Sequence, residues 1–122
     1  MDQLLLISFH PVPAIPELTS VERLSGQTAR IVWVPLTPDE ARGILTLLEI
    51  VYHHKISGKI GCNYFNPTDS RAIHIKENLF EQTTANVNGL IANNQYCVVI
   101  QVSTIGGESG FSKPLELPCK LT

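Results

Sequence analysis

Apolar and polar residues alternate over several short stretches of the chain, and turn-forming residues separate these stretches. In 29–33, Ala29, Ile31 and Trp33 fall on one face, because successive side chains of a strand point to opposite sides. The same period of two runs through 96–102. Its inward positions are Tyr96, Val98, Ile100 and Val102.

The remaining strands are predicted in the same way. Five further stretches, 15–21, 45–52, 71–76, 84–87 and 115–119, give about seven short strands in all, a pattern typical of an all-β sandwich. The leucine-rich start of 45–52 also suits a helix by propensity. The β-forming residues that end it, Ile50, Val51 and Tyr52, favour a strand.

A short helical turn is predicted between the second and third strands. Thr37 can cap it, Pro38 suits the first position and Glu40 stands three residues after the cap. Gly43 can end the turn in a left-handed conformation.

Six features in the expected order make the chain resemble a fibronectin type III domain. They are Pro13, Pro16 and Leu18 in a proline-led first strand; Trp33 in the second strand; Gly43, Leu45, Leu48, Ile50 and Tyr52 in the third; Val87 and Leu90 before a turn; Tyr96, Val98 and Ile100 after it; and Gly106, Ser112 and Pro114 in the final hairpin. A tyrosine is usual in that family where Leu48 stands. Immunoglobulin domains have their tryptophan in the third strand, with a cysteine pair between the sheets, so they fit less well.

The resemblance implies an all-β, seven-stranded immunoglobulin-like β-sandwich over residues 13–119. Its expected core is Trp33, Leu45, Ile50, Tyr52, Leu90, Tyr96, Val98 and Ile100. Within it, Tyr96 is expected to donate or accept a hydrogen bond at the 90–94 turn. Residues 1–12 form an N-terminal segment or linker, or the end of a preceding domain, and 120–122 a C-terminal linker stub.

Charge and hydropathy argue against two classes of partner. The 9 basic and 11 acidic residues are spread along the chain and give a net charge of −2, so no basic stripe could follow a nucleic acid. The longest apolar run, within 4–9, is far shorter than the roughly 20 residues of a spanning helix. We therefore expect neither nucleic-acid binding nor membrane insertion by this segment.

No motif indicates catalysis, a cofactor or a metal. The sequence Gly107-Glu108-Ser109-Gly110-Phe111 lacks the final glycine of a nucleophile elbow. His53 and His54 are neighbours on a strand end and should point to opposite faces. We predict a protein that is not an enzyme and has no cofactor.

Three cysteines permit one disulfide. If the last hairpin is centred near Glu108, Cys97 lies opposite Cys119 on the neighbouring strand, at a separation compatible with a bond. We predict this pair, and Cys62 is then a free thiol or is bonded elsewhere.

The resemblance also implies a function: an extracellular binding or spacer module of a cell-surface receptor or adhesion protein. Its partner is a protein of unknown identity or a neighbouring domain. The expected contact loops contain Asp39, Glu40, Arg42, Gly106, Gly107, Glu108 and Ser109, because loops on a rigid sandwich commonly carry function. The alternatives are an intracellular structural spacer and an accessory module of a carbohydrate-active enzyme.

Overall fold

A computed structural model of the chain describes residues 12–55, 61–63, 65–68, 72–77 and 83–119. Two of the sequence predictions fall outside these ranges: the N-terminal segment, apart from Val12, and the C-terminal stub 120–122.

The described residues form eight strands and one short helix. The strands are β1 Glu17–Arg23, β2 Ala29–Val34, β3 Leu47–His54, β4 Ile73–Glu77, β5 Thr84–Val87, β6 Tyr96–Thr104, β7 Gly107–Glu108 and β8 Leu115–Leu117; the helix is α1 Pro38–Ala41. Compared with the prediction, β1 and β3 each begin two residues later, and the predicted last strand is reduced to β8.

The strands form two antiparallel sheets that pack as a sandwich. One sheet has the order β1-β2-β5; the other has the order β4-β3-β6-β7, with β8 also paired to β6. The all-β sandwich prediction is confirmed. The predicted seventh strand, 115–119, corresponds to β8 alone, whereas β7 lies within the predicted hairpin loop 106–110; both pair along one side of β6.

The inward faces of the two sheets form the hydrophobic core. In β2 the burial alternates with a period of two, and Ala29, Ile31 and Trp33 are the buried members. Of the predicted core residues, Leu45 is only partly buried. The others are all buried: Trp33, Ile50, Tyr52, Leu90, Tyr96, Val98 and Ile100.

Tyr96 fixes the connection between β5 and β6. Its hydroxyl accepts a hydrogen bond of 2.8 Å from the backbone N–H of Ile91, within the turn where the sequence places its partner. The ring also meets Tyr52 edge-on, with centroids 5.9 Å apart. The same residue therefore belongs to the core and holds a crossover.

Arg23, at the end of β1, is almost fully buried, with 2% exposure. Its guanidinium donates hydrogen bonds to four carbonyl oxygens, which belong to Asn94, Pro118, Gly26 and Ile91. It also lies 5.7 Å from the centroid of the Tyr96 ring, a favourable cation–π position. Arg23 thus ties two turns and the end of β8 together, a role that sequence reading missed.

The predicted Cys97–Cys119 disulfide is wrong: Cys97 is bonded to Cys62, and Cys119 has a free thiol. The cause is the register of the last hairpin. Cys97 lies opposite Glu116, so Cys119 falls three residues beyond its predicted position. The Cys97 side chain points away from the core, so it can bond to Cys62, which lies in the β3–β4 connection.

We expect Trp33→Ala to lower the free energy of unfolding by about 3–5 kcal/mol, since Trp33 is 3% exposed between the sheets. Val34→Ala is the matched control, because Val34 is the neighbour of Trp33 on the same strand and is 45% exposed. This substitution should lower the free energy of unfolding by less than about 1 kcal/mol. Urea unfolding followed by circular dichroism measures both. Equal unfolding midpoints for the two variants would contradict the placement of Trp33 in the core.

Candidate protein-binding surface

The loop between β2 and β3 is built around the capped turn α1. The Thr37 hydroxyl accepts a hydrogen bond from the Glu40 backbone N–H at 3.3 Å. In return, the Glu40 carboxylate accepts bonds from the Thr37 N–H at 2.9 Å and from its hydroxyl at 3.1 Å. The predicted capping box is therefore present. These bonds, first from the Thr37 backbone and then from its hydroxyl, lower the pKa of Glu40.

Arg42, not Gly43, takes the left-handed conformation that ends α1, with φ of 57°. Its guanidinium donates to the carbonyl oxygen of Val12 at 3.4 Å. Two residues earlier, the carbonyl of Glu40 accepts a bond of 2.8 Å from the N–H of Ala14. Glu40 and Arg42 therefore hold the loop against the incoming chain, and all three members of the predicted charged trio, Asp39 included, are exposed.

The hairpin between β6 and β7 is tighter than the predicted loop 106–110. Its register pairs Thr104 with Gly107, so the turn itself is Ile105 and Gly106. Ser109 is used internally: its hydroxyl accepts from the N–H of Val102 at 3.1 Å and donates to a neighbouring carbonyl. Sequence reading chose this hairpin but not its exposed apolar residue, Ile105.

These two loops meet at one end of the sandwich. A Cβ atom placed at Gly43 would lie 3.7 Å from Thr104, and one at Gly107 would lie 3.3 Å from Val12. The N–H of Thr46 also bonds the carbonyl of Ser103 at 2.9 Å. The two predicted contact loops are therefore one continuous surface, which we call the two-loop end.

The two-loop end is apolar where it is most exposed. Ile44 and Ile105 are 85% and 83% exposed. An open hollow of about 450 Å³ lies beside Ile44. Its lining is Pro35, Leu36, Pro38, Ala41, Gly43, Ile44 and Leu45. A signal was available in the sequence: Ile44 and Ile105 are large apolar residues in loops, outside the strand periodicity.

Solved structures of other proteins share this architecture. The chain is 19% identical to the third fibronectin III domain of human KIAA0343 protein, with a TM-score of 0.69, over 94% of this chain and 89% of that one. For the FN1–FN3 domains of chicken CNTN1 the identity is 14% and the TM-score is 0.66, over 88% of this chain and 32% of that one. For domains A168–A170 of titin the identity is 16% and the TM-score is 0.62, over 91% of this chain and 32% of that one.

The chain has a fibronectin type III fold. It spans about a third of the CNTN1 and titin fragments. No protein-family model and no curated protein sequence matches it. Among the residues that the structure describes, none lies in a helix long and apolar enough to cross a membrane.

On this fibronectin type III fold, a polar network that sequence reading missed crosses the outer face of the larger sheet. The Glu49 carboxylate, in a side chain only 7% exposed, contacts His74 Nδ1 and accepts from the Gln101 amide, both at 2.6 Å. The same amide reaches Glu108 at 3.1 Å. Glu108, predicted as a contact residue, is therefore anchored beside the two-loop end.

His53 and His54 lie at the end of the sandwich opposite the two-loop end. The ring of His54 stacks on Tyr96, with centroids 4.7 Å apart, and His53 Nδ1 lies 3.1 Å from the carbonyl oxygen of His54. Burial, and after it the neighbouring His53, lowers the pKa of His54. Within the described ranges, no group of three or more His, Cys, Asp or Glu side chains is arranged to hold a metal ion.

We expect Glu40 to titrate below its ordinary pKa of 4.5. Because its folded-state pKa is lowered, its stabilising effect is present above the unfolded-state value and is lost as the pH falls through the folded-state value. Carboxyl-detected NMR titration measures this pKa, and Thr37→Ala should move it upward. Thr46→Ala, in the same loop, should leave it unchanged. An ordinary pKa in the unaltered protein would contradict the cap's role.

Proposed function

We propose that this chain is a non-catalytic, extracellular binding module of a cell-surface receptor or adhesion protein, and that its partner is a protein that docks on the two-loop end. One observation carries the proposal: Ile44 and Ile105 stand 85% and 83% exposed on neighbouring loops. Exposed apolar residues that lie together on a rigid framework are typical of protein-binding surfaces. The hollow beside Ile44 offers room for an apolar side chain of the partner.

The surroundings of these isoleucines support a built surface. The capping box of α1, the Arg42 bond to Val12 and the Ser109 bonds to β6 fix both loops. A rigid surface loses little conformational entropy when a partner binds. Asp39 supplies an exposed charge beside the apolar residues, as at the polar rim of an interface.

The Cys62–Cys97 disulfide supports the extracellular part of the proposal. Disulfides persist in oxidising compartments and are rare in the cytosol of most organisms. An intracellular spacer would not be expected to keep this bond.

A photo-crosslinking amino acid at position 44 or 105 tests the binding surface. In the chain made by its own cells, we expect both positions to give discrete light-dependent adducts to another polypeptide. Position 91 is the matched control, because Ile91 is also exposed, at 54%, but lies at the Arg23 end of the sandwich. Adding Ile105→Asp should remove the adduct formed from position 44.

The crosslinks also separate binding from spacing. Adducts to a different protein support a binding module. Adducts confined to adjoining domains of the same polypeptide would instead indicate a spacer, and equal adducts at 44, 105 and 91, or none, would overturn the proposed surface.

A further inference from the structure

Acidic side chains are in excess at the two-loop end. Its two loops are 35–46 and 103–110, and the incoming chain 12–17 lies against them. The charged residues of these stretches are four acids and one base: Glu17, Asp39, Glu40, Glu108 and Arg42. All of them are exposed. The whole chain is nearly balanced, with 9 basic and 11 acidic residues, so negative charge is concentrated at this end.

The acids lie beside the apolar part of the surface. Glu17 is opposite Val34, the last residue of β2 before the lining of the hollow begins. Asp39 belongs to α1, whose two ends line the hollow. Glu108 lies on β7, at the base of the hairpin that presents Ile105. The apolar surface therefore has an acidic border.

These carboxylates lack the cationic partners that other exposed carboxylates of the chain have. Glu22 pairs with Arg30 at 3.2 Å, and Glu116 pairs with Lys55 at 3.5 Å. Among the residues that the structure describes, no ion pair joins an acid of the two-loop end to a cation.

The hydrogen bonds of the two-loop end leave its charge in place. Glu40 and Glu108 accept from neutral donors, which belong to Thr37 and Gln101. The bonds from Thr37, the backbone bond first, lower the pKa of Glu40, which keeps this carboxylate ionised at neutral pH. Arg42 donates to a backbone carbonyl, so it neutralises none of the acids by an ion pair.

We propose that the polypeptide segment that docks on the two-loop end is basic: a large apolar side chain enters the hollow beside Ile44, and lysine or arginine residues next to it face Asp39 and the other acids. The docking itself rests on the proposed function; the charge of the partner is what is added. Complementary charges at the rim of an interface speed association and select the partner. An acidic segment would meet like charges around the hollow, which disfavours it.

The crosslinking amino acid at position 44 tests the charge of the partner. Asp39→Lys should lower the yield of the adduct about fivefold, the size expected when one exposed ion pair is lost. Asp39→Glu, which keeps the charge, should keep the yield. Glu22→Lys is the matched control, because it makes the same change of charge beside Arg23, at the other end of the sandwich, and should leave the yield unchanged.

Mass spectrometry of the crosslinked peptide reads the sequence of the partner segment directly. Lysine and arginine should outnumber aspartate and glutamate around the crosslinked residue. A segment without this basic majority, a yield that Asp39→Lys does not lower, or an adduct confined to residues 1–11 of the same chain would overturn the proposed charge of the partner. Absence of any adduct from position 44 in the otherwise unaltered chain would instead overturn the proposed function, and the two failures are therefore distinct.

Discussion

The pairing of β3 with β6 is the constraint on which the rest of the structure depends. It joins eight residue pairs, from Leu47 with Ser103 to His54 with Tyr96. Its inward side chains fill the core against the smaller sheet, and its outer face carries the Glu49 network and the disulfide. At one end it brings the loops of Ile44 and Ile105 together; at the other it presents Tyr96 to the turn and to Arg23.

Local patterns made much of this fold predictable. The period of two along β2 and β6 indicated which residues face inward, because a strand buried on one side selects alternate positions. The capping box at Thr37 and Glu40 needs only residues that are close in sequence, and so could be read directly. The Tyr96 bond to the Leu90–Asn94 turn followed from the family resemblance and spans five residues.

The features that sequence reading missed depend on distant parts of the chain. Arg23 bonds carbonyls up to 95 residues away, and nothing beside it in the sequence marks it as buried. Glu49 meets His74 only because β3 and β4 pair. The disulfide prediction failed on a three-residue difference in the hairpin register, which no local pattern fixes. Of the proposed binding surface, sequence reading located both loops but chose residues that mainly hold the loops together.

Disulfide mapping of the unreduced chain, made by its own cells, tests this account most directly, because the bond depends on both the β6 register and an oxidising compartment. Digestion with trypsin and a Glu-specific protease separates the three cysteines into different peptides. The account predicts a peptide containing Cys62 linked to one containing Cys97, with Cys119 as a free thiol. A Cys97–Cys119 link would contradict the register, and three free thiols would contradict the proposed extracellular location.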